Sequence, residues 1–134
     1  MSTPDLQEIG EDKSLLLVDD DEPFLRRLAR AMEKRGCEPE PAGSVAAGKA
    51  IATARPPAYA IVDLRLEDGN GLDVVEVLRE KRPDCRVVVL TGYGAIATAV
   101  AAVKIGATDY LSKPADANDI TAALLAPQDE LPPP

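Results

Sequence analysis

Residues 14–22 read Ser14-Leu15-Leu16-Leu17-Val18-Asp19-Asp20-Asp21-Glu22, and this stretch decides the fold. An apolar run too short for a helix stops abruptly in four acids, as a buried strand does at its end. Pro23 then suits the first turn of a helix. Phe24, Leu28 and Met32 recur at helical spacing, and Gly36 stops the run. Asp21 or Glu22 serves as the cap of that helix. The remaining pair, Asp19 and Asp20, is more acid than a cap requires.

The same strand-then-helix unit repeats along the chain. Residues 37–41 make the weakest strand, and Pro39 and Pro41 demote it to a sheet edge. Ser44 caps a helix through about residue 53. Ala58-Tyr59-Ala60-Ile61-Val62 is a second apolar run, ending in Asp63. A glycine-rich turn follows, Glu67-Asp68-Gly69-Asn70-Gly71, and then a helix marked by Leu72, Val75 and Leu78 that Pro83 ends. Arg86-Val87-Val88-Val89-Leu90 is the clearest strand, with Thr91 at its end. Residues 95–105 are alanine-rich and helical, stopped by Gly106. Residues 108–111 form a short strand, followed by Ser112-Lys113-Pro114, and Asp116 caps a last helix that ends before Pro127. Five such units predict an α/β fold, a parallel sheet with helices on both faces. Ligands of such sheets bind beyond the carboxyl ends of the strands, where Asp19, Asp20, Asp63, Thr91 and Lys113 fall.

Composition agrees with one domain. The 134 residues are 46% hydrophobic but only 3% aromatic, without Trp or His, so the core is built from Val, Leu, Ile and Ala. No stretch approaches the ~18 apolar residues of a membrane span, and residues 1–12 have no signal-peptide character. A cytoplasmic location is expected. Cys37 and Cys85 lack metal-ligand spacing and read as small buried hydrophobes; a redox-sensing thiol is the alternative reading. Asp5, Glu8, Glu11, Asp12, Asp129 and Glu130 account for six of the net −8, which leaves residues 13–126 at −2. No basic face and no basic helical stripe is expected, so this chain alone is not expected to bind DNA. Residues 1–12 read as a disordered acidic tail, 13–126 as the domain, and 127–134 as the start of a Pro-rich linker.

Three carboxylates converging at one sheet edge repel each other, and without a partner some would take up protons. A divalent cation resolves this, and an all-oxygen site favours Mg²⁺. Asp63, at a strand end, is then a candidate nucleophile toward phosphorus, giving an aspartyl-phosphate. Lys113 offers a second cation and the Thr91 hydroxyl a donor for the other phosphoryl oxygens. Singly, each residue has a duller role: turn residue, strand terminator or solvated surface charge. An acid pair, an acid, a hydroxyl and a lysine at four different strand ends carry the weight together.

With these blocks in place, the chain resembles the receiver domains of two-component response regulators. Val18-Asp19-Asp20-Asp21-Glu22 is similar to their acidic pocket. Ile61-Val62-Asp63-Leu64, with Gly71 further on, resembles their phosphoacceptor segment. Leu90-Thr91-Gly92-Tyr93-Gly94 and Asp109-Tyr110-Leu111-Ser112-Lys113-Pro114 match their last two blocks. The likeness covers residues 14 to about 126. It implies a flavodoxin-like (βα)5 fold with strand order 2-1-3-4-5, an order shared by flavodoxin and a chemotaxis receiver. It also implies Asp63 as phosphoacceptor, with Asp20, Asp63 and the Arg65 backbone carbonyl as Mg²⁺ ligands and Asp19 acting through water. Thr91 and Tyr110 become the switch pair, and Lys113-Pro114 a cis peptide. Where many receivers have Met-Pro after the phosphoacceptor, this chain has Leu66-Glu67. The segments 20–28 and 99–111 look like the RegA/PrrA/ActR group of redox-responsive regulators.

The partners implied are a sensor histidine kinase, a second copy on phosphorylation, and DNA only through a helix-turn-helix domain beyond the linker. The output face is expected on the fourth helix, fifth strand and fifth helix, around Val100, Lys104, Asp109 and Tyr110. The chain would phosphorylate and dephosphorylate only itself. A phosphohydrolase with a strand-end Asp would need a second acid where Arg65 stands. A dinucleotide site would need a G-x-G-x-x-G that is missing. A stand-alone receiver signalling by protein contact is the remaining alternative.

Overall fold

A computed structural model describes residues 12–92, 96–113 and 115–125. Outside them lie most of the acidic tail, the Pro-rich linker, Tyr93, Gly94, the start of the helix at Ala95, and Pro114 with its expected cis bond. The elements run β1 (Ser14–Val18), α1 (Glu22–Glu33), β2 (Glu38–Ala42), α2 (Val45–Ala54), β3 (Tyr59–Asp63), β4 (Arg65–Leu66), β5 (Gly69–Asn70), α3 (Leu72–Lys81), β6 (Arg86–Thr91), α4 (Ile96–Lys104), β7 (Asp109–Ser112) and α5 (Ala117–Leu125). Five strands form one parallel sheet in the order β2-β1-β3-β6-β7. Without the short antiparallel β4–β5 hairpin, this is the expected order 2-1-3-4-5.

The runs that end in acids are apolar on both parities because both faces of the sheet are covered. Leu16, Val18, Ala60, Val62, Val87 and Val89 pack with α2, α3 and Ala102 of α4. Leu15, Leu17, Ile61, Val88 and Leu90 pack with α1 and α5 on the other face. Complete burial of each such Val, Leu or Ile side chain stabilises by about 1.5–3 kcal/mol before entropy is charged against it. On α1 the core-facing set is Leu25, Leu28 and Met32; Phe24, expected in that set, is only partly buried.

Edge position and proline go together in β2. Glu38 N donates to Lys13 O, and Ala42 O accepts from Asp19 N, so residues of that parity face β1. Pro39 and Pro41 have the opposite parity and face the open edge, where a missing N–H costs no ladder bond and discourages a foreign strand.

The structure corrects one sequence expectation. Arg26, Arg27, Arg30 and Lys34 are all exposed along α1 and its C-terminal cap, so this helix does carry a basic stripe. Arg27, Arg30 and Lys34, three and four residues apart, align on one side, while the adjacent Arg26 pairs with Glu22 at 3.1 Å; the net charge conceals this local excess. No helix among the described residues is long and apolar enough to cross a membrane.

Candidate functional site

The fold carries Asp19, Asp20, Asp63, Thr91 and Lys113 to the carboxyl edge of the sheet. Asp19 and Asp20 follow β1, Asp63 ends β3, Thr91 ends β6, and Lys113 follows β7. Asp21 leaves the cluster to cap α1, its Oδ1 accepting from Phe24 N at 3.1 Å. Asp19, Asp20 and Asp63 each offer a carboxylate oxygen within 4.8 Å of the others. Two like charges at that separation repel by about 3 kcal/mol at an effective dielectric of 20, and by less where Asp20 faces water.

Lys113 offsets part of this. Its Nζ donates to Asp19 Oδ2 at 2.7 Å and to Asp63 Oδ2 at 3.0 Å, and lies 4.9 Å from the centre of the Phe24 ring. The Phe24 ring thus lies beside the lysine while also packing against the core between the sheet, α1 and α5. Burial raises the Asp19 carboxyl above its ordinary range, against the lowering effect of its bonds to Lys113 and Asp21 N. Burial pushes the Lys113 ammonium down, and the two carboxylates overcome this and raise it. Three acids against one ammonium leave two negative charges uncompensated. An all-oxygen donor set with that surplus suits a hard divalent cation.

Backbone amides hold three of the other four carboxylate oxygens. Asp19 Oδ1 accepts from Asp21 N at 2.9 Å, Asp63 Oδ1 from Arg65 N at 3.1 Å, and Asp20 Oδ2 from Glu67 N at 3.0 Å. Thr91 is buried, with its hydroxyl donating across to Leu111 O at 3.4 Å. Lys113 N donates to Thr91 O at 2.7 Å, tying the lysine backbone to the end of β6. Tyr110 is exposed on β7 at 38%, so of the expected switch pair the hydroxyl lies inside and the ring outside. Gly71 closes the site from below. A Cβ there would overlap the Asp63 carbonyl oxygen and stand 2.8 Å from Val62 Cγ1. Sequence reasoning does not single out Asp68, whose carboxylate reaches Val45 N and Ala46 N.

A doubly wound sheet with an acid pair, a strand-end Asp and a lysine at its carboxyl edge is the architecture of receiver domains. The profile of the response regulator receiver domain matches residues 15–125, and the chain belongs to that family. Within the family its likeness is to the RegA/PrrA/ActR group of transcriptional response regulators. It is 84% identical over 127 residues to the photosynthetic apparatus regulatory protein RegA of Rhodovulum sulfidophilum, covering 95% of this chain and 69% of that protein. It is 66% identical over 121 residues to the acid tolerance regulatory protein ActR of Rhizobium meliloti, covering 90% of this chain and 62% of that protein. Among solved structures it resembles a Burkholderia pseudomallei response regulator crystallised with a phosphorylated aspartic acid, calcium ion and citrate. The TM-score is 0.79 at 44% identity, over 84% of this chain and 66% of that one.

Proposed function

We propose that this receiver accepts a phosphoryl group on Asp63 in a Mg²⁺-dependent reaction with a sensor histidine kinase or a small phosphodonor. The observation that carries the reading is the three-acid cluster with Lys113 bonded to both Asp63 and Asp19. Asp20, Asp63 and the Arg65 carbonyl would hold the cation directly, with Asp19 acting through water. Bound there, the cation would offset the surplus charge and act as a Lewis acid toward the phosphoryl oxygens.

The residues of the chain do the rest. A carboxylate oxygen of Asp63 attacks phosphorus; with a phosphohistidine or phosphoramidate donor the P–N bond breaks as the P–O bond forms, and the electron pair leaves with the donor nitrogen. Lys113 then transfers its contact from the Asp63 carboxylate to a phosphoryl oxygen. The Thr91 hydroxyl exchanges the long bond to Leu111 O for a phosphoryl acceptor. Its movement leaves room for the Tyr110 ring to turn inward. Contacts made only in the phosphorylated state are what shift the population.

The output face is α4, β7 and α5. There Val100 and Val103 are exposed at 42% and 41%, near exposed Ile105 and Tyr110, an apolar surface suited to pairing with a second copy. The relatives extend beyond the matched region. We place the domain at 13–126, with Asp12 of the preceding acidic tail bonded to Ser14 and Arg82 of the domain, and a linker (127–134) that leads to a DNA-binding domain in a cytoplasmic regulator.

Treatment with phosphoramidate or acetyl phosphate and Mg²⁺, followed by mass spectrometry of the intact chain, tests the chemistry. One added phosphate is expected, absent in Asp63→Asn and after EDTA. Equal modification of the variant would refute Asp63 as the acceptor.

A further inference from the structure

Asp68 has no part in the mechanism above, yet it ties its own loop to a helix that precedes β3 in the chain. Its Oδ1 accepts from Val45 N at 2.9 Å and its Oδ2 from Ala46 N at 3.1 Å, and Ser44 Oγ takes Ala47 N at 3.0 Å. The first three amides of α2 are therefore satisfied, two of them by a residue from the far side of β3. The two amide bonds hold the Asp68 carboxyl below its ordinary range although the group is exposed.

Asp68 stands at the turn of the β4–β5 hairpin, between Leu66 and Gly69. This hairpin joins the phosphoacceptor to α3, where Asn70 Oδ1 accepts from Leu72 N at 2.9 Å, and two further ties lead into the acid cluster: Arg65 N to Asp63 Oδ1 and Glu67 N to Asp20 Oδ2. Those two ties end on oxygens that a bound cation would contest. The Asp68 tie ends on α2, outside the cluster. Asp68 also directly follows Leu66-Glu67, so the loop it anchors has no proline ring to restrict it. An ionic tether to a helix N-terminus supplies the constraint that a proline ring supplies through φ.

We propose that Asp68 is a positioning residue for the cation site. It fixes the hairpin to α2, so that the Arg65 carbonyl and the Glu67 amide keep their places beside Asp20 and Asp63. This rests on the cation reading of the cluster. Residues that hold ligands in place typically change metal affinity by about 10- to 100-fold when removed.

The test is calorimetric titration of the unphosphorylated protein with Mg²⁺, alongside thermal denaturation, for the wild type, Asp68→Ala, Asp68→Asn and Ser44→Ala. Asp68→Ala is expected to weaken Mg²⁺ binding on the order of tenfold. Asp68→Asn keeps one amide acceptor, so it should recover part of the loss and remains folded for comparison. Ser44→Ala removes a cap from the same helix without touching the hairpin, so it should lower the melting temperature and leave affinity unchanged. Unchanged affinity in both Asp68 variants would overturn the proposal, and so would an equal loss in Ser44→Ala, since helix capping alone would then suffice. Absence of Mg²⁺ binding in the wild type would instead remove the cation reading itself.

Discussion

The two ends of the sheet treat carboxylates in opposite ways. At the amino end Asp12 accepts from Ser14 N, Ser14 Oγ and Arg82, the last at 2.8 Å. Arg82 also donates to Pro56 O. These bonds tie together the segments that enter β1, β3 and β6, and they hold the Asp12 carboxyl down at about 2. At the carboxyl end Asp19 is buried beside two other acids with one lysine to share, and burial pushes it upward. An acid placed for stability is surrounded by donors and kept in reach of water. An acid kept buried in a surplus of like charge costs stability, and such groups concentrate at functional sites.

If the carboxyl end is built around close approach, its most sensitive point is Gly71. A methyl group there meets the backbone of Asp63, which cannot yield as a flexible side chain can. Gly71→Ala is expected to cost about 3 kcal/mol in urea denaturation and to lower the extent of Asp63 phosphorylation. A loss below about 1 kcal/mol would mean that the β3–α3 connection adjusts freely and that Gly71 does not shape the site.

The next largest effects come from disturbing the charge balance. Lys113→Ala leaves Asp19 and Asp63 buried without their shared cation. Breaking a buried pair costs about 3–5 kcal/mol; because the Lys113 side chain is 26% exposed, the expected loss is discounted to about 2 kcal/mol. Added Mg²⁺ should restore most of it. Asp63→Asn acts in the other direction. It removes one charge from a crowded set, so it should raise stability without metal by about 1 kcal/mol, while abolishing phosphorylation. Denaturation midpoints with and without Mg²⁺ check both signs. A stabilising Lys113→Ala would show that the acids are not in surplus.

The two ends also differ in how legible they are in the sequence. Val18-Asp19-Asp20 and Val62-Asp63 announce the carboxyl end, because an apolar run that stops in acid marks the place where a buried strand meets water. Pro39 and Pro41 announce the edge for a similarly local reason. The β4–β5 hairpin is not legible, because two-residue strands carry no periodicity and because the partner of Asp68 lies across β3 on α2. Phe24 and Leu25 compete for the same helical stripe. Leu25 enters the core while the partly buried Phe24 ring lies 4.9 Å from the ammonium of Lys113, a neighbour distant in sequence. The Asp12–Arg82 contact at the amino end joins segments far apart in the chain. Nothing around Asp12 foretells it, and its neighbours alone read as the end of an acidic tail.

That contact gives the smallest effect and the clearest pH signature. The Asp12 carboxyl is lowered from 3.8 to about 2 on folding, first by its bonds from Ser14 and then by Arg82. A lowered acid stabilises fully above the unfolded value and loses its contribution as pH falls through the folded one. The Asp12 side chain is 48% exposed, so the linkage figure is discounted for screening to about 1 kcal/mol or less. Asp12→Asn should therefore cost about that much at pH 7, and the gap to the wild type should close between the two values, from about pH 4 downward to about pH 2. Salt should narrow the gap at pH 7, since the Arg82 part is screened and the Ser14 bonds are not. The carboxyl-end variants provide the contrast, because the charges of Asp19 and Asp63 are buried and respond far less to ionic strength. If salt closed the gaps of Lys113→Ala and Asp12→Asn equally, burial would not distinguish the two ends, and the difference between them would reduce to the number of hydrogen bonds.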